Sequence, residues 1–206
     1  MKLPKLYAIV DVVCFASPHS VHEIATYARE LAAGGAMLIQ YRSKAGDARE
    51  ILSDARELRR ALNIGITLIM NDRADLCLAA AYDGVHVGQD DLSPGAARAI
   101  VGPNRILGVS THNLHQVREA DLEPADYIAI GPVFATRSKE RPDPVVGLEG
   151  VRAARAATAK PLVAIGGITR ANARSVIEAG ADSVAVIADL LTSPRRAAEE
   201  LIGLLV

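Results

Sequence analysis

The chain has 206 residues, half of them apolar, with 23 basic and 24 acidic residues and a formal net charge of −1. That length permits one domain with a substantial core, at the small end of the (β/α)8 barrel range, and the even charge balance gives no footprint for nucleic acid or an anionic membrane. The two cysteines, Cys14 and Cys77, stand outside any CxxC or Cys/His zinc spacing, so disulfide and zinc readings are weak and both are expected to fill core space.

Residues 6–15 are apolar behind two lysines, but Asp11 interrupts the run and no small-residue cleavage site follows convincingly. No apolar stretch approaches the ~20 residues of a membrane span. The expectation is a soluble protein of the reducing cytoplasm. From there the chain alternates between two kinds of segment. Strands rich in Val, Ile and Leu are predicted at 6–13, 36–41, 66–70, 84–87, 105–109, 127–130, 162–165 and 183–186. Between them, helical spacing with charged outer faces marks 21–33, 48–62, 114–120, 148–157, 171–179 and 194–204, and the residues after 70 and after 91 read as helix openings.

Eight strands separated by helices imply parallel pairing. Strands apolar throughout suit a sheet covered on both faces, as in a closed (β/α)8 barrel within a helical ring; an open doubly wound sheet is the competing arrangement. The whole chain is expected to be one such barrel domain. Weak internal similarity supports it: Gly180-Ala181-Asp182-Ser183-Val184 resembles Pro124-Ala125-Asp126-Tyr127-Ile128 and, more loosely, Ala81-Tyr82-Asp83-Gly84-Val85, each leading into a strand. The plainer reading is that any such fold wants small, turn-forming residues there. One connection, residues 131–147, is far longer than the ~2–6 residues usual for such loops and carries Thr136, Arg137, Ser138, Lys139 and Arg141.

Chemistry-bearing residues gather where strands end. Gln40, Arg42 and Lys44 close the second strand, Asn71, Asp72 and Arg73 the third, and Gln89, Asp90 and Asp91 follow the fourth. Ser110, Thr111 and His112 follow the fifth, the basic loop the sixth, Gly166-Gly167 the seventh and Ala188-Asp189 the eighth. A barrel brings such carboxyl-terminal positions to one mouth. Lys and Arg there can neutralise a diphosphate, and Asp72 and Asp91 are hard oxygen ligands of the kind Mg2+ takes while keeping waters and phosphate oxygens. Gly166-Gly167-Ile168-Thr169, with a helix opening near Arg170, offers backbone N–H groups to a monophosphate.

Each feature also has a plainer explanation. Asp72 and Asp91, taken singly, are equally well helix caps; Asp75 and Asp90 fit that role better. Arg73 can simply pair with a neighbouring Asp. His86, inside an apolar strand, reads as a hydrogen-bonded structural residue, and no histidine is assigned to catalysis. A nucleophile elbow, a phosphate-binding P-loop and a dinucleotide fingerprint are absent from the sequence.

With these residues in place, the sequence resembles the thiamine-phosphate synthase family over roughly residues 6–191. The resemblance is carried by Gln40-Tyr41-Arg42-Ser43-Lys44, Asn71-Asp72-Arg73-Ala74-Asp75-Leu76, Asp83-Gly84-Val85-His86-Val87-Gly88-Gln89-Asp90-Asp91-Leu92, Gly131-Pro132-Val133-Phe134-Ala135-Thr136-Arg137-Ser138-Lys139 and Ala164-Ile165-Gly166-Gly167-Ile168. It implies a (β/α)8 transferase that joins hydroxymethylpyrimidine diphosphate to thiazole phosphate and releases pyrophosphate.

By the same resemblance, Gln40, Arg42, Lys44, Asn71 and Lys139 hold the pyrimidine and its diphosphate, and Asp72 and Asp91 hold Mg2+. Ser110 lies near the pyrimidine and leaving group; Thr136, Ser138, Gly167 and the backbone at Ile187 and Ala188 receive the thiazole phosphate. Arg42, Lys44, Ser110 and Lys139 are the expected catalytic groups. The chain departs from the family pattern at Ala188 (many members have serine), Ser138 (threonine), Ala129 (glycine) and Tyr41 (leucine). A thiazole tautomerase branch has histidine where this chain has Pro132, and a catalytically silent phosphate-binding barrel is the alternative from another class. Homo-oligomerisation is left open.

Overall fold

The computed structural model describes residues 1–15, 20–136 and 143–205. Eight parallel strands close into a barrel in sequence order: β1 (Leu6–Asp11), β2 (Leu38–Arg42), β3 (Thr67–Asn71), β4 (Gly84–Val87), β5 (Ile106–Thr111), β6 (Tyr127–Ile130), β7 (Leu162–Ile165) and β8 (Ser183–Val186). The barrel shuts through β8 and β1, where Leu6 pairs with Val184 and Ala8 with Val186. Among the described residues the surrounding helices are α1 (Val21–Ala33), α2 (Ala48–Ala61), α3 (Ala74–Ala79), α4 (Pro94–Val101), α5 (Leu114–Leu122), α6 (Gly147–Ala157), α7 (Ala173–Glu178) and α8 (Pro194–Leu205).

The strands look uniformly apolar because each serves two cores. Alternate side chains point to opposite faces. On β1, Leu6, Ala8 and Val10 join the outer layer against helices, while Tyr7 and Ile9 join the barrel interior with Leu38, Ile69, Tyr127, Ala129, Val163 and Ala185. Helix starts are set by local chemistry. Asp47 accepts from the N–H groups of Arg49 and Glu50 at 2.8 and 2.9 Å while Glu50 bonds back to the Asp47 N–H, a capping box that starts α2. Ser93 caps α4 ahead of Pro94.

The weak internal repeat has a physical basis beyond turn composition. Asp83, Asp126 and Asp182 each stand just before an even-numbered strand and use Oδ2 twice. That oxygen accepts from the N–H of Leu68, Leu107 and Leu162 respectively, at 2.7, 2.7 and 2.8 Å. It also takes a guanidinium bond from Arg59, Arg98 and Arg155, at 2.6, 2.6 and 2.8 Å. Three brackets thus tie α2, α4 and α6 to the amino-terminal end of the barrel.

Several expectations need correction. Cys77 is buried, but Cys14 is exposed, because β1 stops at Asp11 and Val12–Cys14 form a 3-10 turn. The turn forms because the Asp11 carboxylate accepts from the Val13 N–H. Strand β5 continues through Ser110 and Thr111, and α3 and α4, at 6 and 8 residues, are too short for periodicity to delimit. Asp72 is not the cap of α3; Arg73 holds that position without a side-chain cap bond.

Candidate active site

A cleft of about 440 Å³ opens at the carboxyl-terminal end of the barrel. It collects Gln40, Arg42, Lys44, Asn71, Asp72, Asp91, Ser110, Thr136, Gly167, Ile187 and Ala188, which come from six strand ends and the loop after β6. Ser138 and Lys139 lie outside the described residues. The hollow at the opposite end, near Lys2 and Lys5, has Arg155 and Asp182 committed to a bracket.

The cationic and acidic rim is built from β2, β3 and the turn after β4. Asp72 has φ 61°, a left-handed conformation uncommon for a residue with a side chain, and its N–H donates to the His86 carbonyl oxygen at 2.7 Å. That conformation aims its carboxylate at Lys44, with which it forms an ion pair, and at Asp91. Asp91 is held in turn by the Gly88 N–H at 2.8 Å. Burial raises the Asp72 carboxyl above its ordinary pKa; Lys44 opposes the shift and the neighbouring Asp91 adds to it. Beside them, Arg42 is pinned by the buried Asp11. Asn71 lines the cleft, and its Nδ2 group is buried without a hydrogen-bond partner.

Two carboxylates side by side with one ammonium fit a divalent cation. Among the described residues no cluster of three or more His, Cys, Asp or Glu side chains could enclose a metal. The paired carboxylates of Asp72 and Asp91 are a donor set that fits a hard divalent cation, which takes one or two carboxylates and leaves its other positions to water and phosphate.

Across the mouth, Gly166 and Gly167 take φ 101° and 63°, and a Cβ on Gly167 would stand 2.5 Å from the Ala135 carbonyl oxygen. Only glycine lets this turn lie against the base of the loop after β6. The expected helix opening near Arg170 lies further on, since α7 begins at Ala173. The Asn172 side chain accepts from the Thr169 N–H at 2.8 Å and donates to the Gly167 carbonyl oxygen at 3.0 Å, so residues 169–172 form a braced turn. Arg170 is engaged by Asp189 and Glu200 and does not stand free for an anion.

The floor holds two polar residues that periodicity did not single out, Tyr7 and Tyr127, together with His86, and His112, Gln116 and Asp143 stand on the wall. Tyr7 and Tyr127 sit at interior positions of otherwise apolar strands, and that polar exception was the available signal. His86 is hydrogen-bonded as expected, to Tyr127 and Ser110 at 2.9 and 2.8 Å. Burial pushes its pKa down to about 4, against a smaller opposing pull from Asp91, and holds both tyrosine hydroxyls above the ordinary phenol value. His112 Nδ1 donates to the Gly131 carbonyl oxygen at 2.7 Å, and its Nε2 lies 3.6 Å from Asp143.

The departures from the family pattern have different structural consequences. Tyr41 points outward and donates to Asp54 at 2.9 Å, filling the layer against α2 without touching the cleft. Ala129 and Ala188 line the cleft itself.

The family model for thiamine monophosphate synthase matches residues 6–190. A thiamine-phosphate synthase of Koribacter versatilis is 62% identical over 205 residues, covering 100% of this chain and 97% of the relative. One from Shouchella clausii is 40% identical, covering 94% and 91% of the two chains. A solved structure of thiamine phosphate pyrophosphorylase from Pyrococcus furiosus is 35% identical and superposes with a TM-score of 0.85, covering 98% of this chain and 95% of that one. The chain therefore belongs to the thiamine monophosphate synthase family, and its activity is the transfer that gives the family its name.

Proposed function

We propose that the mouth divides into a diphosphate side, formed by Arg42, Lys44, Asp72 and Asp91, and a monophosphate side at Gly166-Gly167, Thr136 and the Ile187-Ala188 backbone. Hydroxymethylpyrimidine diphosphate occupies the first and thiazole phosphate the second. The observation that carries this reading is the convergence of two cations and two carboxylates on one rim, opposite a glycine turn. Mg2+ held by Asp72 and Asp91 would neutralise charge on the diphosphate oxygens.

The protein's share of the reaction follows from these positions. Gln40 and Asn71 orient the pyrimidine, with the Asn71 amide supplying a donor that lacks a protein partner. The bond between the pyrimidine methylene carbon and the diphosphate oxygen breaks, its electron pair leaving with pyrophosphate. Arg42 and Lys44 stabilise the charge that develops there, and the aminopyrimidine carries the opposite charge at its methylene. Ile9, Val163, Ile165 and Ile187 line the cleft, an apolar wall that would keep water from the reacting carbon. The thiazole nitrogen, fixed nearby by its phosphate, supplies the new bonding pair. No protein nucleophile is required.

The test is formation of thiamine phosphate and pyrophosphate from the two purified substrates, with Mg2+ and with a chelator. Equal, metal-dependent amounts of both products are expected. Folded protein that forms neither at saturating substrate would refute the assignment, as would coupling unaffected by chelation for the metal. Location in the cytoplasm belongs to the same reading; no helix among the described residues is long and apolar enough to cross a membrane.

A further inference from the structure

Two substrate-facing residues, Gln40 and Ser110, are joined beneath the cleft by an unbroken chain of buried hydrogen bonds. Gln40 Nε2 lies 2.8 Å from the Tyr7 hydroxyl, which is 2.9 Å from the Tyr127 hydroxyl. Tyr127 lies 2.9 Å from His86 Nδ1, and His86 Nε2 lies 2.8 Å from Ser110 Oγ. The His86 and Tyr127 rings stack with centroids 5.5 Å apart and planes at 21°. Gly108 leaves the space for that stack, since a Cβ there would stand 2.0 Å from the Tyr127 ring and 2.5 Å from His86 Nδ1.

A chain of this kind has one proton order once either end is fixed, because each hydroxyl and the neutral imidazole has one hydrogen to donate along it. With Gln40 donating through Nε2, the Tyr7 hydrogen goes to Tyr127 and the Tyr127 hydrogen to His86 Nδ1. His86 then carries its hydrogen on Nε2 and donates to Ser110 Oγ, which leaves the serine hydrogen for the cleft. Reversing the Gln40 amide would reverse every bond. The order with hydrogens directed toward the mouth is the one that stabilises negative charge arriving there, and each bond polarises the next.

We propose that His86 is a positioning residue in the Nε2–H form, set by Tyr127 and Tyr7, and that it makes Ser110 a hydrogen-bond donor to the substrate. This rests on the functional reading above. At the other end of the chain the same order presents the Gln40 Oε1 as an acceptor. The floor thus offers an acceptor to an amino group at one end and a donor to a diphosphate oxygen or ring nitrogen at the other, a polarity matched to an aminopyrimidine diphosphate. Neither end acts independently of the three buried residues between them.

Nitrogen-15 NMR of the imidazoles in the folded, ligand-free chain reports the tautomer directly, with His86→Gln identifying the His86 resonances. Steady-state kinetics of Tyr127→Phe, His86→Gln and His86→Leu then report its use. The expected results are a neutral Nε2–H imidazole and, for Tyr127→Phe, loss of that single tautomer with kcat about three- to tenfold lower and KM for the diphosphate substrate little changed, the scale of one hydrogen bond. His86→Gln, whose amide can place an N–H toward Ser110, retains more activity than His86→Leu. An Nδ1–H imidazole in folded, active protein would overturn the proton order while leaving the functional reading intact. The Nε2–H form in a chain that never couples the substrates would do the reverse.

Discussion

Gly108→Ala is the substitution for which the structure gives the sharpest expectation. The new Cβ would stand 2.0 Å from Tyr127 Cζ, 2.3 Å from its hydroxyl oxygen and 2.5 Å from His86 Nδ1, whereas carbon contacts are ordinarily ~3.5–4.0 Å. Nothing there can yield cheaply. Tyr127 is fully buried, stacked on His86 on one side and edge-on to Tyr7 on another, at a centroid distance of 6.0 Å. Overpacking of this kind costs ~1–3 kcal/mol, and displacing Tyr127 from its two hydrogen-bond partners adds about 1 kcal/mol for each bond lost. The sum, about 3–5 kcal/mol, is a large part of the ~5–15 kcal/mol that holds a domain together. It corresponds to a melting temperature lower by roughly 10 °C. Urea unfolding followed by circular dichroism measures the first quantity, and coupling assayed well below the melting temperature measures the disturbance to Ser110. A variant whose unfolding free energy lies within about 1 kcal/mol of the parent and whose kcat is unchanged would refute the packing argument.

Other expectations follow from the same geometry. Asp72→Asn and Asp91→Asn should each abolish Mn2+ binding, read by electron paramagnetic resonance, and with it coupling, while remaining folded; a variant with undiminished metal binding removes that residue from the metal role. Asp126→Ala should cost ~1–3 kcal/mol in urea unfolding through loss of the Leu107 N–H and Arg98 bonds. By contrast, Glu149→Ala, which breaks only an exposed pair with Arg152, should stay within ~0.5 kcal/mol, and equal effects would discredit the bracket. An aromatic disulfide reagent should label one thiol in the folded chain, Cys14, because Cys77 is buried and its thiol is pushed up to about 11; rapid labelling of both would contradict that burial. The folded pKa of His86 is depressed from 6.5 to about 4, so between those values the unfolded chain binds the extra proton. Stability fully present above pH 6.5 is lost as pH falls toward 4, by up to ~3 kcal/mol from this group. Urea midpoints in chelator should therefore fall more steeply with acid in the parent than in His86→Gln, and parallel curves would refute the assignment.

Much of the barrel was legible because its information is local. Strands β4, β6, β7 and β8 coincide with their predicted limits, since each is a short apolar run bounded by turn residues. Once eight such runs alternate with helices, the carboxyl-terminal ends must share a face, and that alone brought Gln40, Lys44, Asp72, Asp91 and Gly167 into one cleft. The true helix start at Ala173 was missed because Asn172 uses its side chain to brace a turn, and Cys14 was misplaced because the end of β1 depends on the Asp11 carboxylate.

By itself, then, the sequence determined the element order, the two-sided burial of the strands and the chemical types gathered at the mouth, all of which follow from composition and period along the chain. Only the tertiary structure decided which partner each group meets: Asp72 turned by a positive φ onto Lys44 and Asp91, Asp11 reaching Arg42, and Gln40 linked to Ser110 through Tyr7, Tyr127 and His86. Those contacts join residues up to 120 positions apart across a closed barrel. Their geometry is set by strand register and by the room that Gly108 leaves, which no local pattern encodes.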